Sequence, residues 1–169
     1  MTLENGAYVL QAHLARGNPQ WRQLDPNREV LVIFQGPHGY VSPRWYDHVN
    51  VPSMNYLAAH AYGKPRLVEE TNELYRMLKR QIETHEGENS GIYHIDLLPE
   101  KFLQAEMRGI VGVEIAVTRL EASFKLSQNR DESNYRNILA ELAKSEDPQD
   151  QALLAEMRKV YESKGYKHP

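Results

Sequence analysis

Cysteine does not occur anywhere in the 169 residues. Its absence excludes disulfide frameworks, cysteine-ligated zinc, iron–sulfur clusters and thiol nucleophiles. Long apolar runs are missing too: the longest, Val30 to Phe34, spans five residues, whereas a membrane-crossing helix needs roughly 20. The opening Met1-Thr2-Leu3-Glu4 has neither the basic nor the apolar region of a signal peptide. A soluble, cytoplasmic protein with no membrane partner is the expectation. An excess of one charge is also lacking, because 20 Lys and Arg nearly offset 23 Asp and Glu. No large uniform basic surface is therefore available for non-specific nucleic-acid binding, although a local basic patch remains open.

Several active-site signatures are absent as well. The seven histidines, His13, His38, His48, His60, His85, His94 and His168, form no H-E-x-x-H and no close pair, so no metal site is expected. There is no G-x-S-x-G elbow, no G-x-G-x-x-G and no P-loop, which removes the usual serine-hydrolase and phosphate-cradle architectures.

What is present reads as one compact domain with a helical tail. Ala7 to Leu14 alternates apolar and polar positions, as a strand with one wet face does. Glu29 to Gln35 is β-branched and continuous, the pattern of a strand buried on both faces. Gly36-Pro37 and Gly39 then predict a turn into a hairpin partner at Tyr40-Val41-Ser42. Met54 to Val68 predicts a long strand bent at Gly63. Ile110 to Leu120, with Val111, Val113, Ile115 and Val117 on one face, predicts another, and Ser123 to Leu126 either extends it or starts a partner.

Helical spacing appears at Leu74, Met77, Leu78 and Ile82, with Thr71 as the entry, and again between Pro99 and Gly109. Asp131 and Asp147-Pro148 predict the caps of two last helices, burying Tyr135, Ile138, Leu139 and Leu142 in one and Leu153, Leu154, Met157, Val160 and Tyr161 in the other. About five strands with helices gathered late imply a mainly β fold, an antiparallel sheet or barrel with peripheral helices. The expected division is residues 1–130 for the β domain and 131–169 for C-terminal helices packed on it or on a partner subunit.

Two stretches carry candidate chemistry. Between Gln35 and Tyr62, the aromatics Tyr40, Trp45, Tyr46, Tyr56 and Tyr62 are interleaved with Ser42, Arg44, Asn55 and His60. Aromatic faces and amide or hydroxyl groups together suit a planar heterocycle, with Arg16, Arg44, Lys125 or Arg130 available for a phosphate. The same aromatics would equally cap a barrel end or bury a dimer interface. Lys125 to Arg130 is a second polar stretch after a strand, whose plainer use is as a helix-entry loop.

Taken in order, five blocks carry a family resemblance: N-P-Q-W at Asn18 to Trp21, V-I-F-Q-G-P-H-G-Y-V-S-P-R-W-Y at Val32 to Tyr46, V-P-S-M-N-Y-L-A-A-H-A-Y-G at Val51 to Gly63, I-V-G-V-E-I at Ile110 to Ile115, and K-L-S-Q-N-R at Lys125 to Arg130. Across residues 7 to 142 the chain resembles the PaiB family of FMN-binding negative transcriptional regulators. The resemblance implies a split β-barrel of the pyridoxamine-phosphate-oxidase type, shortened at its N-terminus relative to the family and so without the first barrel strands. It also implies a homodimer with FMN in clefts at the subunit interface.

Carried over residue by residue, it makes His13, Arg16 and Asn18 candidates near the flavin phosphate or ribityl chain. Ser42 and Trp45 become cleft-lining positions, and Asn55 and His60 polar groups on the long strand. Lys125, Ser127, Gln128 and Asn129 become a second wall of the same site. The chain departs from the family at Ala12, where glycine is usual, and at Met54 and Phe124, where tryptophan is usual. Met and Phe keep apolar volume while removing indole donors.

Three outputs remain open on this basis. They are a flavin-binding repressor with DNA as a possible partner, a flavin-dependent oxidoreductase, and a flavin-free structural dimer. No helix-turn-helix is recognisable, and Arg158, Lys159, Lys164 and Lys167 make only a modest basic end that reads as a solvated helix face.

Overall fold

The computed structural model describes residues 2–4, 7–87 and 93–165. Lys167 and His168, named above, lie outside the described residues. The fold is mainly β with peripheral helices. Five strands, β1 (Thr2–Glu4), β2 (Ala7–Ala15), β3 (Val30–Val41), β4 (Ser53–Val68) and β5 (Ile110–Lys125), are joined in the order β1-β2-β5-β4-β3. Strand β2 is antiparallel to β1, with Thr2 opposite Val9, and antiparallel to β5, with Val9 opposite Ala116 and Ala15 opposite Ile110. Four helices accompany them: α1 (Thr71–Glu86), α2 (Glu100–Arg108), α3 (Glu132–Leu142) and α4 (Pro148–Ser163).

Two expectations for β3 are corrected. No turn breaks it: one strand runs from Val30 through Gly36, Pro37 and Gly39 to Val41. The glycines serve close packing, not reversal. A Cβ on Gly39 would lie 2.8 Å from Leu153 Cδ2 and from Asp150 Oδ1, and one on Gly36 would lie 3.1 Å from Leu57 Cβ. Nor is the strand buried on both faces. It is the outer strand of the order, and Ile33 is 60% exposed and Phe34 46%. A continuous apolar run records hydrophobicity but not whether a neighbour covers it.

The long strand β4 runs through Gly63 without interruption. A Cβ there would sit 2.2 Å from the carbonyl oxygen of Ala116, so this glycine admits the β5 backbone at close range. Ser123 to Lys125 extends β5, resolving the alternative that was open in the sequence.

The chain forms two compact units. The first comprises residues 1–32 and 61–119. In it Leu10, Ala61, Val113 and Ile115 form one buried cluster, and Val68, Leu74, Met77 and Met107 form another beneath α1 and α2. Helix α1 buries Leu74 and Met77 of the predicted stripe and leaves Leu78 and Ile82 partly buried, and its cap is Glu70, whose carboxylate accepts from the Asn72 and Glu73 amides. The second unit comprises residues 33–60 and 120–169. Here Val41, Tyr46 and Leu126 pack with Tyr135, Ile138 and Leu142 of α3 and Leu153, Leu154, Met157 and Tyr161 of α4. Both helices start where the acidic caps predict: Asp131 accepts from the Asn134 amide and Asp147 from the Gln149 amide.

Candidate functional site

The candidate residues divide between the two units. In the first unit, His13 on β2 meets Gln81 of α1, its Nδ1 3.1 Å from Gln81 Oε1. This pair lines a groove of about 500 Å³ with Val9, Leu78, Ile82 and His85. Arg16 follows β2 directly and pairs with Glu69 at 3.0 Å, on the wall of a cavity of about 420 Å³ with Thr71, Gln104 and Arg108. Asn18 acts on its own backbone, where its Oδ1 accepts from the Gln20 amide and starts the short turn Pro19–Gln23. That turn brings the Trp21 indole back to donate to the Arg16 carbonyl at 3.1 Å, with the Arg22 guanidinium stacked 4.8 Å above the ring. The N-P-Q-W block thus fixes the backbone of Arg16, a role for Trp21 that sequence reasoning does not assign.

In the second unit, the S-P-R-W-Y block is a short turn, Pro43–Trp45, capped by Ser42, whose Oγ accepts from the Arg44 amide. Tyr46 is buried in the core and Trp45 packs partly against it. Asn55 on β4 is wholly buried and bonded to Ser127 in both directions, Nδ2 to Oγ at 3.0 Å and Oγ to Oδ1 at 3.1 Å. Its Nδ2 also lies 3.3 Å from Met157 Sδ.

Ser127 holds φ 57°, a left-handed conformation that costs a non-glycine residue energy and persists where surrounding bonds enforce it. Here Asn55 is that restraint. Gln128 braces the same loop, accepting from the Leu126 amide at 2.6 Å and donating to the Phe124 carbonyl at 2.7 Å. Exposed Lys125 donates to Ser53 at 2.7 Å, and Asn129 is exposed beside the brace. His60 is half-buried on β4.

Of the candidates in this unit, the structure links Asn55 directly to Ser127, while Ser42 and Trp45 share the capped turn. His13, Arg16 and Asn18 belong to the other unit.

Sequence reasoning missed Asn134. This helix residue is 2% exposed and uses its whole amide. Its Oδ1 accepts from the Asp47 amide at 3.1 Å, and its Nδ2 donates to Asp47 Oδ1 at 3.0 Å and to Asp131 Oδ2 at 2.8 Å. His48 also reaches Asp47, 2.8 Å from Nδ1 to Oδ1. The hydrogen bonds from His48 and then Asn134 hold the Asp47 carboxyl below the usual range, while the Asn134 amide and side chain do the same for Asp131. A partner 87 positions away leaves no local signal in a sequence.

The candidate cations are Arg16 in the first unit, paired with Glu69, and Lys125 in the second, bonded to Ser53; His13 and Arg16 line different cavities. Cations and neutral polar groups are the chemistry that a phosphate and a ring with carbonyl and imide edges require. Among the described residues no group of three or more His, Cys, Asp or Glu is arranged to hold a metal. In the same residues no helix is long and apolar enough to cross a membrane.

Residues 1–119 match the family described as "Putative FMN-binding domain". The chain belongs to this PaiB-type family, whose cofactor is FMN. Protease synthase and sporulation protein PAI 2 of Bacillus subtilis is 43% identical over 141 residues, covering 83% of this chain and 68% of that one. An uncharacterised protein of Emericella nidulans is 31% identical over 170 residues, covering 82% and 67%. Among solved structures, the flavocytochrome Anf3 from Azotobacter vinelandii superposes with a TM-score of 0.50 at 11% identity, over 79% of this chain and 57% of that one. That likeness concerns the fold alone, a mainly β split barrel with peripheral helices. The chain thus spans about two thirds of these relatives' length and less of the flavocytochrome.

Proposed function

We propose that this chain is a PaiB-type FMN-binding protein that works in the cytoplasm as a homodimer and negative regulator of transcription, the flavin being its bound ligand. The observation that carries this reading is the family match over residues 1–119, which contains the blocks with His13, Arg16, Asn18, Ser42, Trp45, Asn55 and His60. In this reading His13, Arg16 and Asn18 of the first unit serve the phosphate or the ribityl chain, and Lys125 and Asn129 of the second unit are polar groups offered to the cofactor. Ser42 and Trp45 face the isoalloxazine, His60 completes the polar wall on β4, and Asn55, Ser127 and Gln128 keep the Lys125–Asn129 loop in shape. FMN itself supplies a reversibly reducible ring. This chain's part is to bind it, orient it and exclude water from its inner face.

The second unit supports the dimer. It exposes Ile33, Phe34 and Tyr40 on β3, Met54 and Tyr56 on β4, and Leu120 and Phe124 on β5. Apolar exposure of this extent marks an association surface. Support for DNA binding is confined to the resemblance. Lys159 is already paired with Glu156 at 2.7 Å, and Lys164 lies 5.7 Å from the Tyr135 ring, so the basic end of α4 is a solvated face.

The test is gel filtration of the chain with FMN, followed by a gel shift at physiological salt. Flavin absorbance travelling with a species of twice the chain mass, and a sequence-dependent shift, are expected. Colourless protein would overturn the cofactor reading, a monomer would overturn the dimer, and a shift without sequence preference would overturn direct regulation.

A further inference from the structure

We propose that Asn134, on a helix outside residues 1–119, is a positioning residue for the flavin site, because it clamps the segment carrying Ser42 and Trp45. The inference rests on the reading that this segment lines the FMN cleft.

Trp45 stands between two restraints. On its N-terminal side Ser42 caps the turn. On its C-terminal side Tyr46 is buried in the core and Asp47 is held by Asn134 through both the backbone amide and the carboxylate. Both N–H groups of the carboxamide donate and its oxygen accepts one bond, and at 2% exposure it has almost no access to water as a substitute partner.

A helix cap does not require this arrangement. Asp131 alone caps α3 by accepting from the backbone of Asn134 at 2.9 Å, and any residue but proline at 134 keeps the N–H that makes that bond. The extra contacts therefore serve the 42–47 segment. The Arg130 guanidinium, 5.0 Å above the Tyr46 ring, ties the end of the K-L-S-Q-N-R block to the same segment. Asn134 of α3 and Arg130 just before that helix thus both hold the 42–47 segment, one of the two stretches of the second unit assigned to the cofactor.

Two readouts test the proposal. The first is FMN affinity, from quenching of flavin fluorescence. Asn134→Ala is expected to bind FMN about tenfold more weakly, the effect of one or two lost buried hydrogen bonds. Leu139→Ala thins the same helix packing without touching the clamp, and is expected to lower the melting temperature while leaving affinity unchanged.

The second readout needs no flavin: acrylamide quenching of Trp45 in a Trp21→Phe background should increase when Asn134→Ala is added. If Asn134→Ala does not fold, Asp47→Ala serves instead, since it removes the carboxylate contact and keeps the backbone one. A smaller loss of affinity with more quenching is then expected. Wild-type affinity together with unchanged quenching, in whichever variant folds, overturns the proposal. Affinity and quenching that change in step with melting temperature in Leu139→Ala also overturn it, because the effect would then be general. A wild-type chain that fails to bind FMN defeats the site reading instead, and Trp45 quenching still decides whether the clamp exists.

Discussion

The two units handle polar groups in opposite ways. The first keeps its charges near the surface: Arg66 donates to Glu73 and Glu114, and Gln11 donates to Glu114 from the neighbouring strand. Burial alone would raise the Glu114 carboxyl, but the hydrogen bonds from Arg66 and Gln11 hold it below the usual range. The second unit buries neutral groups, Asn55, Ser127 and Asn134, and gives each amide specific partners. Surface ion pairs contribute little because water competes for both charges, whereas a buried amide that loses its partner bears the full cost of desolvation. The polar interior of the second unit should therefore govern both stability and loop geometry, and the charged network of the first should be nearly dispensable.

Four substitutions probe that contrast. Asn55→Ala leaves the Ser127 hydroxyl without its partner and opens a void, so chemical denaturation should show a loss of about 3 kcal/mol. Asp131→Ala removes the α3 cap and one arm of the Asn134 clamp and should cost about 1–2 kcal/mol in the same assay. For Arg66→Met the expected loss is about 0.5 kcal/mol, because the guanidinium is half exposed, and high salt should erase it.

Smallest of all is the pH effect at Glu114. Its folded carboxyl is depressed, so its contribution is fully present above the unfolded value of about 4.3 and disappears as pH falls through the lower folded value. Glu114→Gln should accordingly trail the wild type in melting temperature at pH 7, with the gap narrowing as pH falls below the unfolded value. If Arg66→Met proved as costly as Asn55→Ala, the contrast between the units would fail.

Periodic elements are legible in the sequence. Helices α1, α3 and α4 bury most of the stripes that their spacing predicts, leaving Leu78, Ile82, Leu139 and Val160 partly buried, and β5 follows its alternating valines, because one-sided burial writes itself into local order. Strand β3 departs from expectation for two separable reasons. Gly36 and Gly39 look like turn residues, yet they make room for Leu57 and Leu153, side chains that only tertiary packing brings near. The apolar run Val30–Phe34 has the composition of an interior strand, while its position at the end of the strand order leaves Ile33 and Phe34 uncovered.

The candidate site is legible only in part. Ser42, Asn55 and Ser127 can be chosen from their blocks, but the Asn55–Ser127 pairing and the Asn134 clamp join positions 72 and 87 residues apart. The left-handed φ at Ser127 is likewise hidden, since serine carries no glycine-like marker of that conformation.

The most direct test of the central claim, that FMN rests against the Ser42–Asp47 and Lys125–Asn129 segments, is amide hydrogen exchange of the chain with and without saturating FMN. Slower exchange concentrated in those two segments, with a further decrease around His13 to Asn18, is the predicted result. Unchanged exchange in both, under conditions where the flavin demonstrably remains bound, would contradict the account.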